Sequence, residues 1–231
     1  MSEQFKGFSK QSLKFFSDLQ KSNNKDWFSE NRDVFDSEIL LGAKAFVADM
    51  GNRLRKITPD IVADPRTDKS IFRIHRDIRF SKEKIPYKTH LGIYFWEGTG
   101  KKLENPGFYF HFDKDSVFIG VGMHIFPKEM MAAYRNAVTD PKKGEKLVKI
   151  IKDISKKSSE YILGWKKYKQ TPRGYDKNHP NADYLLYGGM GFHYKSGIPD
   201  EFYSNKLIDY TYKIFKDMSP IHFWLRDNSS N

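Results

Sequence analysis

Residues 70–90 read Ser-Ile-Phe-Arg-Ile-His-Arg-Asp-Ile-Arg-Phe-Ser-Lys-Glu-Lys-Ile-Pro-Tyr-Lys-Thr-His, the densest concentration of chemically capable side chains in the sequence. The first half alternates as a strand does. Phe72, Ile74, Arg76, Ile78 and Phe80 share one side; Ile71, Arg73, His75, Asp77 and Arg79 share the other. Arg76 is out of place, a guanidinium on the apolar side. A buried arginine without a partner is strongly destabilising. Arg76 therefore reads either as an ion pair with Asp36, Asp77 or Glu129, or as a clamp for an anion at the end of a sheet.

The second half is a loop in which Arg79, Lys82, Lys84 and Lys88 accompany Ser81, Tyr87, Thr89 and His90. A planar guanidinium, ammonium groups and hydroxyls suit a phosphate or a carboxylate. The same composition also suits an ordinary solvated loop. Pro86 stiffens the segment, and a fixed loop on a sheet scaffold is a common seat of function. The expected ligand-binding residues are Arg73, Arg76, Arg79, Ser81, Lys84 and Lys88. Tyr87, His90 and His111 are the candidates for proton transfer, the histidines because imidazole titrates near neutrality. His90, Tyr94 and Trp96 share a parity, as do Tyr109, His111 and Asp113, and as do Phe118, Gly120, Gly122 and His124. If these faces coincide, they form a groove with His and Tyr walls. Gly120 and Gly122 leave a bare trough, which marks close approach of a ligand or of another backbone; a helix laid over the glycines is the alternative.

Other chemistries lack their residues. The chain has no cysteine, which removes disulfides, zinc–thiolate sites and cysteine nucleophiles. Its seven histidines show neither HxH nor HExxH spacing, so no metal site is expected. Gly188-Gly189-Met190-Gly191 has no Lys-Ser/Thr after it, so it is not a phosphate loop. No serine sits in a nucleophile elbow. No motif identifies a cofactor.

The elements that must position these residues are legible in outline. Ser9 can cap a helix to about residue 20. Asn23 with Asp26 resembles a capping box opening a long helix, along which Phe28, Phe35, Ile39, Phe46, Met50, Leu54 and Ile57 form one stripe. Thr58-Pro59 should stop it. Alternating segments at 69–78, 90–97, 107–113 and 116–125 read as strands. Asp113-Lys114-Asp115 is short enough for a hairpin turn, and sequential strands with short links favour an antiparallel meander. Two helices follow Pro127, the second over about 143–157, and 164–180 reads as a loop. A last helix starts near Pro199 and ends before Pro220. The apolar segment 221–225 should dock, and 227–231 should fray.

The 231 residues suit one domain, taken as 1–226. Formal net charge is +11, and residues 141–178 hold twelve Lys and Arg against four Asp and Glu, a local +8. Such a region can recruit nucleic acid, or it can be a solvated face. The N-terminus has no apolar signal region and no run is long enough to span a membrane. The expectation is therefore a soluble, cytoplasmic protein without a membrane partner.

Several of these segments together resemble a bacterial family of conserved hypothetical proteins, one of the families defined as a domain of unknown function. The resemblance rests on Phe15-Phe16-Ser-Asp-Leu19, Asn23-Asn24-Lys-Asp-Trp27-Phe28, the run from Phe72 to Thr89, Gly107-Phe-Tyr109, Gly120-Val-Gly122, Pro172-Arg-Gly174-Tyr175 and Pro220-Ile-His-Phe-Trp-Leu225. It covers nearly the whole chain and implies one contiguous domain and no particular activity. Gly188 to Gly191 lie outside the pattern and read as a local insertion. The expectation is an α+β fold, mainly an antiparallel sheet over about 69–125, flanked by N-terminal and C-terminal helices. Its function would be a groove for an anionic ligand, phosphorylated ligands included. The alternative is a non-catalytic nucleic-acid-binding or structural module.

Overall fold

The computed structural model describes residues 4–99 and 101–228. Five strands form one antiparallel sheet, accompanied by helices from both ends of the chain, so the α+β expectation holds. The described residues divide into two compact units. One is drawn from Met1–Phe95, Tyr109–Phe118 and Lys195–Lys213, the other from Trp96–Phe108, Ile119–Tyr194 and Ile214–Asn231.

The first unit opens with α1 (Lys10–Lys21), capped as expected by the Ser9 side chain, which accepts from the Ser12 N–H. The next cap differs from expectation. Asn24, not Asn23, accepts from the Trp27 N–H and starts α2 (Lys25–Glu30). The expected long helix is interrupted. The Asn31 side-chain amide donates to the Trp27 carbonyl, a local bond that competes with helical continuation. After α3 (Arg32–Val34), residues Phe35–Leu40 form a π-helical segment before α4 (Leu41–Leu54). The apolar stripe survives these changes: Phe28, Ile39, Phe46, Met50 and Leu54 are all buried.

Phe5 and Phe8 are buried in an aromatic cluster. The Phe8 ring lies 4.6 Å from Phe112, 5.4 Å from Phe202 and 5.1 Å from Phe5. Each such pair contributes about 0.5–1.5 kcal/mol beyond its buried area.

Strands β1 (Leu91–Trp96), β2 (Gly107–Phe112) and β3 (Ser116–Met123) lie where alternation placed them. The Asp113 carboxylate makes the hairpin turn by accepting from the N–H groups of Asp115 and Ser116.

The strand expected at 69–78 does not form. Ser70 and Phe72 make two backbone bonds to β1, Tyr94 N–H to Ser70 O and Phe72 N–H to Gly92 O. The chain then folds back on itself. Arg76 N–H donates to Pro86 O and Lys88 N–H to Ile74 O, leaving only isolated bridges such as His75 with Tyr87. Two causes act together. Pro86 has no N–H to extend a ladder. The backbone of Tyr87 is claimed from outside by Asn23, whose amide donates to Tyr87 O (3.1 Å) while its carbonyl accepts from Tyr87 N–H (3.0 Å). Residues 78–84 form the tip of this folded-back arm, with Phe80 94% exposed.

In the second unit, α5 (Lys128–Thr139) and α6 (Pro141–Lys157) confirm the helical pattern after Pro127. The α6 stripe is partly buried through Leu147, Ile151 and Ile154, and its lysines cover the remaining faces. Two strands were not anticipated. Within and beside the expected loop lie β4 (Ile162–Lys166) and β5 (Tyr187–Gly197), paired antiparallel with Gly164 opposite Gly191. The full sheet order is β1-β2-β3-β5-β4. The Gly188–Gly191 stretch is therefore strand. The close approach signalled by Gly122 is to β5's backbone, not to a ligand or a helix. A Cβ on Gly122 would lie 2.3 Å from Met190 O and 2.5 Å from Gly191 Cα.

Helix α7 (Lys206–Asn228) also departs from expectation, because it runs through Pro220. Proline cannot donate to the carbonyl of residue 216; the Ser219 hydroxyl donates to it instead, at 2.9 Å. Ile221, His222, Trp224 and Leu225 are buried, so this segment docks as expected. His222 Nε2 and the Arg226 guanidinium flank buried Glu97 at 2.9 and 3.1 Å. The helix includes Asp227 and Asn228; the rest of the tail expected to fray, 229–231, lies outside the described residues. No described helix is long and apolar enough to cross a membrane.

Candidate functional site

The base of the folded-back arm opens into a pocket of about 580 Å³ within the first unit. Arg76 and Asp77 line it from the outgoing limb, Ile85, Tyr87, Lys88, Thr89 and His90 from the returning limb, and Gln20 and Asn23 from the end of α1 and the link to α2. The two limbs are held by the Arg76–Pro86 and Lys88–Ile74 backbone bonds, and Asn23 fixes the returning limb at Tyr87. This corrects the reading of Asn23 as a helix cap. Nothing local in the sequence marks its partner, which lies 64 residues away.

The expected site residues divide into three groups. Arg76, Tyr87, Lys88 and His90 come together in the pocket. His111, on β2, adjoins through His90, the two rings being 5.0 Å apart. The other cations lie elsewhere. Arg79 is bonded to Asp77 through Nε and Nη2 at 3.0 and 2.7 Å. Lys84 Nζ donates to Ile78 O at 3.0 Å, and Ser81 N–H donates to the same carbonyl. Those three residues sit in the tip. Arg73 lines a separate cavity of about 130 Å³ with Phe28, Phe35, Ile71 and Ile74.

Arg76 is half-buried, and its guanidinium makes no ion pair or hydrogen bond among the described residues. None of the three anticipated acids holds it: Asp36 pairs with Arg32 and Asp77 with Arg79. Lys88 lines the same pocket; its Nζ donates to Arg73 O at 2.9 Å and lies 5.4 Å from the centroid of the Phe72 ring. Burial, and secondarily the Arg73 charge, pull the Lys88 ammonium below its usual value. The Asp77 carboxylate, held down at about 2 chiefly by hydrogen bonds from Arg79, is ionised and paired with that guanidinium.

The proton-transfer candidates have distinct environments. Burial, then the Lys88 charge, lowers the His90 pKa. Burial, then neighbouring His90, pushes His111 down to about 4. Both imidazoles are therefore neutral at pH 7 and able to accept a proton. His111 Nδ1 lies 3.1 Å from the Tyr109 hydroxyl, whose own pKa burial raises to about 12. Tyr87 is buried and stacked on Phe28 with centroids 4.3 Å apart, which gives it a packing role in addition to its place in the wall. Among the described residues no three His, Asp or Glu side chains gather to hold a metal ion.

No curated protein matches the chain. A family model does match, over residues 11–224, a span that includes the arm, the pocket and the β2 histidine. The chain thus belongs to the family described as conserved hypothetical protein DUF2461.

Proposed function

We propose that the pocket at the base of the arm binds a small anionic ligand, phosphorylated ligands included. One observation carries this reading: a half-buried guanidinium, Arg76, lines a pocket without any protein anion to pair with among the described residues. Fully buried cations are ordinarily matched, and Arg76 is partly withdrawn from water. Lys88 adds a second, partly desolvated charge, and Thr89 adds a hydroxyl donor. A guanidinium meets a carboxylate or phosphate through two parallel N–H···O bonds, and an ammonium supplies a point charge beside it. Neutral His90 on the same wall would accept a proton from the bound molecule if the site is catalytic. The basic stretch at 141–178 supports a nucleic-acid role less well, because the lysines of α6 cover the solvated faces of a helix whose apolar stripe is packed.

Calorimetric titration with inorganic phosphate, pyrophosphate and citrate tests the proposal. At least one should bind. Arg76→Ala should weaken that anion about 10- to 100-fold, since a charge-assisted hydrogen bond contributes about 1.5–3 kcal/mol. Lys142→Ala, in the basic stretch, should change nothing. Equal weakening by both variants, or no binding by any of the three anions, defeats the proposal.

A further inference from the structure

Next to the pocket, one face of the sheet is paved with half-exposed rings. Tyr109 and His111 come from β2, Phe118 from β3, His90 from the start of β1 and Phe72 from the segment paired to β1. They form a continuous chain of contacts. Phe72 lies 6.1 Å from Tyr109, Tyr109 lies 5.4 Å from His111, and His111 lies 5.1 Å from Phe118 with only 12° between their planes. The exposed face of an antiparallel sheet ordinarily carries polar side chains. A contiguous half-exposed ring surface is the kind of patch that marks a binding site.

Gly92 is part of its construction. A Cβ there would stand 3.1 Å from the Tyr109 hydroxyl and 3.2 Å from Phe72 Cδ2. The missing side chain lets the two rings close over the strand. At neutral pH the surface itself is uncharged, with Tyr109 protonated and His111 neutral. Its rim is cationic: Lys88 stands by Phe72, and the Lys195 charge acts on His111. One acid, Asp113, faces the histidines, and its carboxylate is engaged by the turn at Ser116.

Lys88 and His90 belong to both places. They line the anion pocket, and through Phe72 and His111 they touch the ring surface. Resting on the anion-site reading above, we infer that the ligand also carries a planar ring, as a mononucleotide does, stacked on the Tyr109–His111–Phe118 surface with its phosphate at Arg76 and Lys88. The pocket of about 580 Å³ would hold the phosphate end, with Lys88 and His90 as the residues that adjoin the ring surface. Stacking on aromatic side chains tolerates any base, since each base has a π face.

The test is titration of the full chain with inorganic phosphate, ribose 5-phosphate, AMP and an eight-residue oligothymidylate. AMP should bind about tenfold or more tightly than ribose 5-phosphate. Tyr109→Leu and Phe118→Leu should each erase most of that advantage while leaving phosphate affinity within about twofold. Two positions are used so that a folding defect at one, checked by circular dichroism, does not decide the matter. Equal affinity for AMP and ribose 5-phosphate, with phosphate still bound, overturns the ring assignment and leaves the anion site standing. Failure of all the phosphates overturns both. Tighter binding of the oligonucleotide than of AMP overturns the mononucleotide in favour of single-stranded nucleic acid.

Discussion

Replacing His111 by phenylalanine should flatten the loss of stability that acid causes. The imidazole is half-buried, 5.1 Å from the Phe118 ring and 5.0 Å from His90. Burial is the largest force against its protonation; the His90 and Lys195 charges add to it, and Asp113 opposes them. Its pKa falls from an ordinary 6.5 to about 4. As pH drops below 6.5 the unfolded chain therefore takes up the proton first. The stability gained by keeping His111 neutral is complete above pH 6.5 and is lost progressively as pH falls towards 4. At 1.36 kcal/mol per pH unit the gap corresponds to a ceiling of about 3 kcal/mol. Solvent at the half-exposed ring screens part of it, leaving about 2 kcal/mol. His90, His193 and His222 are lowered in the same direction by burial and contribute a common background. The assay is urea unfolding of both proteins at pH 7.5, 6.5, 5.5 and 4.5. Loss of the bond to Tyr109 shifts the variant's curve by a constant, so the readout is the difference in slope. Wild type should lose about 1.5 kcal/mol more than His111→Phe between pH 6.5 and 4.5. Identical slopes, or a His111 imidazole that titrates above pH 6 by NMR, would refute the reasoning.

Gly122→Ala should cost about 3 kcal/mol or more, combining overpacking against the β5 backbone with a positive φ of 133°. Gly197→Ala, with nothing within 4 Å of its new Cβ, should stay within about 0.5 kcal/mol. Chemical denaturation of the pair decides whether close strand approach explains Gly122, and a loss below about 1 kcal/mol there would remove that explanation. Asn23→Ala should cost about 2 kcal/mol, by deleting both bonds to Tyr87, and should abolish hydrogen-exchange protection at the Tyr87 amide. Asn24→Ala should cost about 1 kcal/mol, as loss of a helix cap does, with Tyr87 protection intact. An unchanged Tyr87 amide in Asn23→Ala would contradict the clamp.

Much of the framework was legible in short stretches. Ser9 meets its N–H three residues on, and the Asp113 turn closes within three residues. The stripe of α6 and the alternation of β1 to β3 repeat over a few residues, so periodicity alone reveals them. The composition of residues 70–90 also marked where the pocket would be. What that stretch concealed was its division. Alternation predicted a strand with a misplaced arginine, whereas the segment pairs briefly with β1 and then with itself. The arm's cations consequently separate, Arg76 and Lys88 to the pocket, Arg79 and Lys84 to the tip, and Arg73 to another cavity.

Residue types and local spacing therefore determined α1, α5 and α6, three of the strands and the stretch that lines the pocket. Tertiary structure alone decided three things. Asn23 serves as a clamp 64 residues from its partner. β4 and β5 complete the sheet through a glycine-to-glycine approach. Arg76 makes no ion pair among the described residues, because the adjacent Asp77 pairs with Arg79. The physical reason is common to all three. A cap or a stripe is satisfied by groups a few residues apart, so its signal is local. A pairing between distant backbones, or the absence of a partner for a charge, depends on which segments the folded chain brings together.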